Sequence, residues 1–271
     1  MYSQASNQKY FFIGAFFFLL FFGAMLYIID FKENSAHKFI KISIGIFCFL
    51  INFLMILLAK TIHRRRIFAM AVYTLLSIST VNIFDSFYRG LTYLILSIAL
   101  IFMLDIIPSF SKFKYFNAGL LAFFAAFLYP PVSLIVIFFF LTTIFMFEQK
   151  VNIFQYLAGI FIAALLTLQI AYLTHHLPML AEWLVNIQIP PFSIEFQLPA
   201  LLLLGFILLY GFYNHLSERF VVQEIDLKNK HLMLVFYLLF WTVIFALFLG
   251  SDYNLLAFVS VPVSILISRS L

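Results

Sequence analysis

The amino-acid sequence predicts an all-α fold: a polytopic transmembrane helical bundle of about ten membrane segments, including a short Pro-Pro hairpin. Three observations carry this prediction. Only 10% of the 271 residues are charged and 65% are hydrophobic, against about 25% and about 45–50% in an ordinary soluble domain. So few charges do not cover the surface of a soluble fold of this size. The apolar residues fall in runs separated by short connections, and the basic residues gather in alternate connections, the distribution that orients membrane proteins. Together these features exclude a soluble enzyme, a disulfide-built secreted scaffold and a disordered chain.

The first run, residues 10–29, is about the length that crosses a bilayer. It ends in Tyr27-Ile28-Ile29-Asp30 without the small-residue pair of a signal-peptide cleavage site, so it reads as a retained membrane helix. The run 39–59 follows. It contains the single cysteine, Cys48, which has no partner for an intramolecular disulfide and reads as a small buried apolar residue. Further segments are 67–83, 91–107, 117–129, 132–147, 154–174, 198–214, 232–249 and 255–267. No connection between them is long enough to fold by itself, and no internal repeat is visible, so residues 1–271 read as a single integral membrane domain.

The stretch 117–147 admits two readings, one kinked helix or a tight hairpin turning at Tyr129-Pro130-Pro131. At 1.5 Å per residue its first part reaches only about 20 Å of a ~30 Å apolar core. Charge decides. With the hairpin and a cytoplasmic N-terminus, Lys9, Lys60, Arg64, Arg65, Arg66, Lys112, Lys114, Lys150, Arg219, Lys228, Lys230 and Arg269 lie inside. Only Lys32, Lys38, Lys41 and Arg89 lie outside. A single kinked helix would move Lys150, Arg219, Lys228, Lys230 and Arg269 across, leaving fewer basic residues inside than out. The positive-inside rule therefore selects the hairpin and places both termini in the cytoplasm. A Pro-Pro pair also suits a turn better than a span centre, because each ring removes a donor and clashes one turn back.

The connection 175–197 falls on the outside. Leu177, Leu180, Leu184 and Ile187 recur at roughly helical spacing and Pro190-Pro191 ends the run. This predicts a short amphipathic helix on the outer leaflet, anchored by Trp183 at the membrane interface. The mixed-sign connection 216–231 reads as a solvated cytoplasmic linker.

Familiar catalytic and nucleotide-binding motifs are absent from the sequence. His175-His176 are neighbours that diverge on a helix, so no metal site is read there. The one basic cluster, His63-Arg64-Arg65-Arg66, abuts a membrane segment, so no nucleic-acid partner is expected. The candidate chemistry lies in the outer connections, where ionisable groups near a bilayer are the first suspects. Asn82, Asp85 and Arg89 share one helical face at spacings of three and four. If Asp30, Glu33 and Asp85 converge, their carboxylates are candidate catalytic groups, and Arg89 is the candidate phosphate-binding group through its planar fork. The alternative is a simple Asp85–Arg89 pair at the headgroups. Asn52 and Gln169, deep in their segments, are expected to make interhelical hydrogen bonds. The charge-poor middle of the bundle argues against an ion-coupled transporter.

The stretch Phe116-Asn117-Ala118-Gly119-Leu120-Leu121, then Phe127-Leu128-Tyr129-Pro130-Pro131, then an apolar run to Glu148-Gln149-Lys150, together with the tail Val261-Pro262-Val263-Ser264-Ile265-Leu266, resembles an uncharacterised family of multi-pass inner-membrane proteins of Bacteroidota. The resemblance covers roughly residues 82–271 and implies a bacterial cytoplasmic-membrane location. The short helix and proline hairpin are also similar, more distantly, to the membrane core of GT-C glycosyltransferases, which use polyprenyl-phosphate donors. That resemblance implies Asp30 or Glu33 as the first outer acid and Asp85 as the second. The loop after Asp30 is much shorter than in those enzymes, and Asp85-Ser86-Phe87 is not a paired-acid motif.

The function expected is that of a non-catalytic membrane subunit or scaffold of a cell-envelope complex, partnered by the bilayer and other membrane subunits. The first alternative is a GT-C-like glycosyltransferase acting at the outer face on a polyprenyl-phosphate lipid. The second is a transporter of a lipid or small solute. No cofactor or metal is expected, except a divalent ion under the glycosyltransferase reading.

Overall fold

A computed structural model describes residues 2–28, 35–58, 66–104, 113–145, 150–178, 198–217, 225–245 and 253–270. Among them are ten α-helices, with no β-strand: α1 (Tyr2–Ile28), α2 (Ser35–Leu58), α3 (Arg66–Ser79), α4 (Phe87–Met103), α5 (Lys114–Leu128), α6 (Ser133–Phe145), α7 (Lys150–Leu173), α8 (Leu198–Ser217), α9 (Ile225–Ile244) and α10 (Ser260–Ser270). Short 3-10 helices at Val81–Asp85, Pro130–Val132 and Tyr253–Val259 join some of them. Each of the ten expected apolar segments overlaps one α-helix, so the all-α reading holds. Two stretches, Lys38–Leu58 in α2 and Asn152–Leu173 in α7, are long and apolar enough to cross a membrane; the other apolar helices are shorter over the described residues.

Helical periodicity divides α2 into two faces. Gly45, Cys48, Phe49, Asn52, Phe53 and Ile56 are buried, at spacings of three and four, while Phe47, Leu50, Leu54 and Leu58 are exposed; one face meets the core. Cys48 is buried, as expected. By contrast α10 is buried almost all round and packs against α3, α8 and α9, the position of a central helix.

Aromatic side chains link the two halves of the chain. Phe49 stacks on Phe21 with ring centroids 4.4 Å apart and meets Tyr73 at 5.4 Å. Further along the core, Tyr93 meets Phe258 edge to face at 5.6 Å. Phe258 stacks on Trp241 at 4.5 Å, and Phe138 packs on Phe240 at 5.0 Å. Such offset and edge-on pairs add to the area that the rings bury.

The proline turn separates two packed helices. Tyr129 is extended, with φ −142° and ψ 91°, and Pro130–Val132 forms one 3-10 turn before α6 begins. Tyr156 of α7 shows how sharply the chain turns there. Its backbone carbonyl lies against Gly119 of α5, and its hydroxyl donates to the carbonyl of Val136 in α6 at 2.7 Å. In one continuous helix those two positions would stand about 25 Å apart, beyond the reach of a single tyrosine.

Candidate functional site

Two features of the interior bear on function: a buried chain of polar groups and a lateral groove. The chain begins at Asn52, whose Nδ2 donates to the Tyr93 hydroxyl at 2.8 Å. Ser260 Oγ donates its one proton to the carbonyl of Ala257 at 2.7 Å. The 3.1 Å contact between Tyr93 and Ser260 therefore has Tyr93 as the donor. The direction Asn52 to Tyr93 to Ser260 to Ala257 follows from counting protons, and it ties α2, α4 and α10 together. Asn52 Oδ1 and the nearby hydroxyls of Ser77 and Thr92 find no partner among the described residues.

This arrangement predicts an asymmetry. Tyr93→Phe leaves the Asn52 amide buried without its acceptor and should cost roughly 1–2 kcal/mol. Adding Asn52→Leu removes the stranded amide, including its already unsatisfied oxygen, and should restore much of that loss. Thermal unfolding of the two single variants and the double variant in detergent measures the coupling; strict additivity would contradict the chain.

The groove lies between α4, α5 and α7 and encloses about 740 Å³, within the usual range for small-molecule sites of ~300–1,000 Å³. Tyr88, Leu91 and Ile95 of α4 form one wall, and Phe124, Phe127 and Leu128 of α5 another. The third wall is Thr167, Ile170 and Ala171 of α7, with Thr174 and His176 just beyond its end. From Tyr88 to Ile95 the groove runs about 10 Å along α4. All three helices place it at the same end of the bundle, the end of the proline turn.

Small residues explain why the groove is there. Near the opposite end Gly119 meets the backbone of Tyr156, and Gly159 meets the backbone of Phe116. The two glycines sit three residues from each other's contact point, so the α5 and α7 backbones touch. Helices that cross at a close point diverge away from it, and the groove occupies the space between them toward the turn.

The mouth is polar. The Arg89 guanidinium stands 5.9 Å from the Tyr129 ring centroid, a cation–π distance, beside the groove residues Tyr88 and Leu128. On the α7 side the helix ends in a Schellman turn: His176 N–H donates to Ala171 at 2.8 Å and His175 N–H to Tyr172 at 3.1 Å. His175 holds the left-handed position of that turn with φ 58°, where glycine is usual. A histidine there carries a strain of order 1 kcal/mol. His176 Nδ1 donates to the Thr174 carbonyl at 2.5 Å, since a carbonyl only accepts, and its Nε2 is the remaining polar atom of the ring.

Of the site residues expected from sequence, Asp30, Glu33 and Trp183 lie outside the described residues, as does most of the amphipathic stretch 177–187. Asp85 is exposed and Arg89 half-buried. The shared α-helical face expected for Asn82, Asp85 and Arg89 is corrected: Asn82 and Asp85 belong to the 3-10 helix, α4 begins at Phe87, and Ser86 between them is extended, with ψ 117°. Of the two amides, Asn52 makes the expected interhelical bond, whereas Gln169 is exposed on the outward face of α7.

Comparison with known proteins adds the family. The model of a family described as "Family of unknown function (DUF6427)" matches residues 2–271. The chain belongs to that family. No curated protein and no solved structure matches significantly. In this member of DUF6427 the residues that sequence reasoning missed are Tyr93, Ser260 and the groove walls. Their only signal was the presence of hydroxyl and small residues on apolar helices, which names no partner.

Proposed function

We propose that the protein is a multi-pass protein of the bacterial cytoplasmic membrane, with both termini inside. In this reading it serves as a non-catalytic membrane subunit or scaffold of a cell-envelope complex. The supporting observation is how its buried polar groups are used. Thr74 donates to Met70, Ser97 to Tyr93, Thr142 to Phe139, Thr143 to Phe140, Ser264 to Val261 and Ser268 to Ile265, at 2.7–2.9 Å. Each satisfies a carbonyl of its own helix. These hydroxyls are committed within their helices, while the polar chain from Asn52 through Tyr93 to Ser260 joins three helices, the use that suits a packing scaffold. Aromatic stacks and glycine contacts serve the same end.

The GT-C-like alternative draws support from one juxtaposition: Asp85, Arg89 and the groove lie at one end of the bundle. Complementation of a deletion strain separates the two readings. Asp30→Asn, Glu33→Gln and the double change Asp85→Asn with Arg89→Gln should each restore the wild-type phenotype at normal expression, because a scaffold needs no general base. Loss of complementation by Asp30→Asn or Glu33→Gln at normal expression would overturn the scaffold reading and favour the transferase.

A further inference from the structure

We propose that the groove between α4, α5 and α7 holds a hydrocarbon chain of a membrane glycerophospholipid, whose phosphate sits at the mouth on Arg89. The inference rests on the multi-pass reading, which brings lipid to the groove. Its walls are almost wholly apolar, and it opens beside the outward face of α7, where Leu168, Ile170 and Tyr172 are exposed. A chain leaving the bilayer enters such a space without losing an apolar surrounding, and it fills a void that would otherwise cost the lining its contacts.

The mouth selects the headgroup. Arg89 is held over Tyr129, and a guanidinium presents a planar fork that fits phosphate oxygens. Thr174 Oγ1 donates to the Ile170 carbonyl, so its proton is committed to α7. His176 has likewise given Nδ1–H to the Thr174 carbonyl, which leaves Nε2 as an acceptor, so Arg89 is the group that takes the phosphate. The left-handed His175 turns the chain at the end of α7, where His176 lines the groove. Backbone strain at a ligand mouth is the usual place for it.

Native mass spectrometry of the full chain, released from mild detergent, tests the proposal with two probes of identical chains: dioleoyl phosphatidylglycerol and dioleoylglycerol, which lacks the phosphate. The wild type should retain the phospholipid about tenfold more strongly than the diacylglycerol, the factor expected for one charge-assisted contact. Arg89→Gln should remove most of that preference. Ala171→Trp fills the groove and should lower retention of both lipids; Ile170→Trp, at a more exposed position, does the same with less demand on packing. Equal retention of the two probes, retention indifferent to both tryptophan variants, or a lipid-free dimer would overturn the proposal. Carbonate washing of membranes carrying the full chain distinguishes the failures. If the chain stays in the washed membrane while the probes bind alike, the lipid site alone falls. If the chain washes off, the membrane reading falls and the site with it.

Discussion

Gly159→Val should abolish the folded bundle, and Gly159→Ala should lower its thermal midpoint by roughly 5–10 °C. A Cβ at this position meets the Phe116 carbonyl and stands 2.9 Å from the amide nitrogen of Leu120. Both are backbone atoms, so no rotamer change relieves the clash. Overpacking that side chains can absorb costs about 1–3 kcal/mol; here α5 and α7 must separate, and every contact along their crossing weakens. Gly23 and Gly205 provide the control, because nothing lies within 4 Å of a Cβ added at either. Alanine there should be neutral or stabilising by up to about 1 kcal/mol, through improved helix propensity. Monodisperse yield in detergent and thermal unfolding of the four variants measure the contrast. A Gly159→Val protein that purifies normally and melts with the wild type would show that the two helices do not approach at this point.

Trp241→Ala should destabilise the protein by about 3–5 kcal/mol, the range for removal of a buried tryptophan. Trp241 is completely buried. It stacks on Phe258 at 4.5 Å with the rings 9° from parallel, and it meets Tyr237 and Phe245 at 6.3 Å. It thus joins α9 to the 3-10 helix that leads into α10. The indole nitrogen has no hydrogen-bond partner among the described residues, so its removal sacrifices no polar contact. Trp241→Phe keeps an aromatic face on Phe258 and should cost less than about 2 kcal/mol. Thermal unfolding of the two variants distinguishes packing from polarity: equal losses would mean that the indole N–H, rather than the ring stack, holds this junction.

The helices themselves were legible in the sequence because they depend on local properties. Apolar run length, the proline pair and the basic connections each act over a few residues, and the ten segments they marked all fall on helices. Helix faces were legible only where composition alternates. In α2 the buried Asn52 shares its face with Cys48, Phe49 and Phe53. In α7 apolar residues surround the helix, so no periodicity told that Gln169 points outward. The break at Ser86 was invisible for a related reason: side-chain spacings of three and four suit an α-helix, and a single extended residue leaves them unchanged. Contacts between distant segments were decided by the tertiary structure alone. Tyr93 meets Asn52 across 41 residues and Ser260 across 167, and a hydroxyl on an apolar helix is compatible with many partners until packing chooses one. Gly119 and Gly159 read as small residues and nothing more; only the folded chain sets them against each other's helix. That crossing leaves the groove between α4, α5 and α7, because a cavity belongs to the distance between surfaces and has no residue of its own in the sequence.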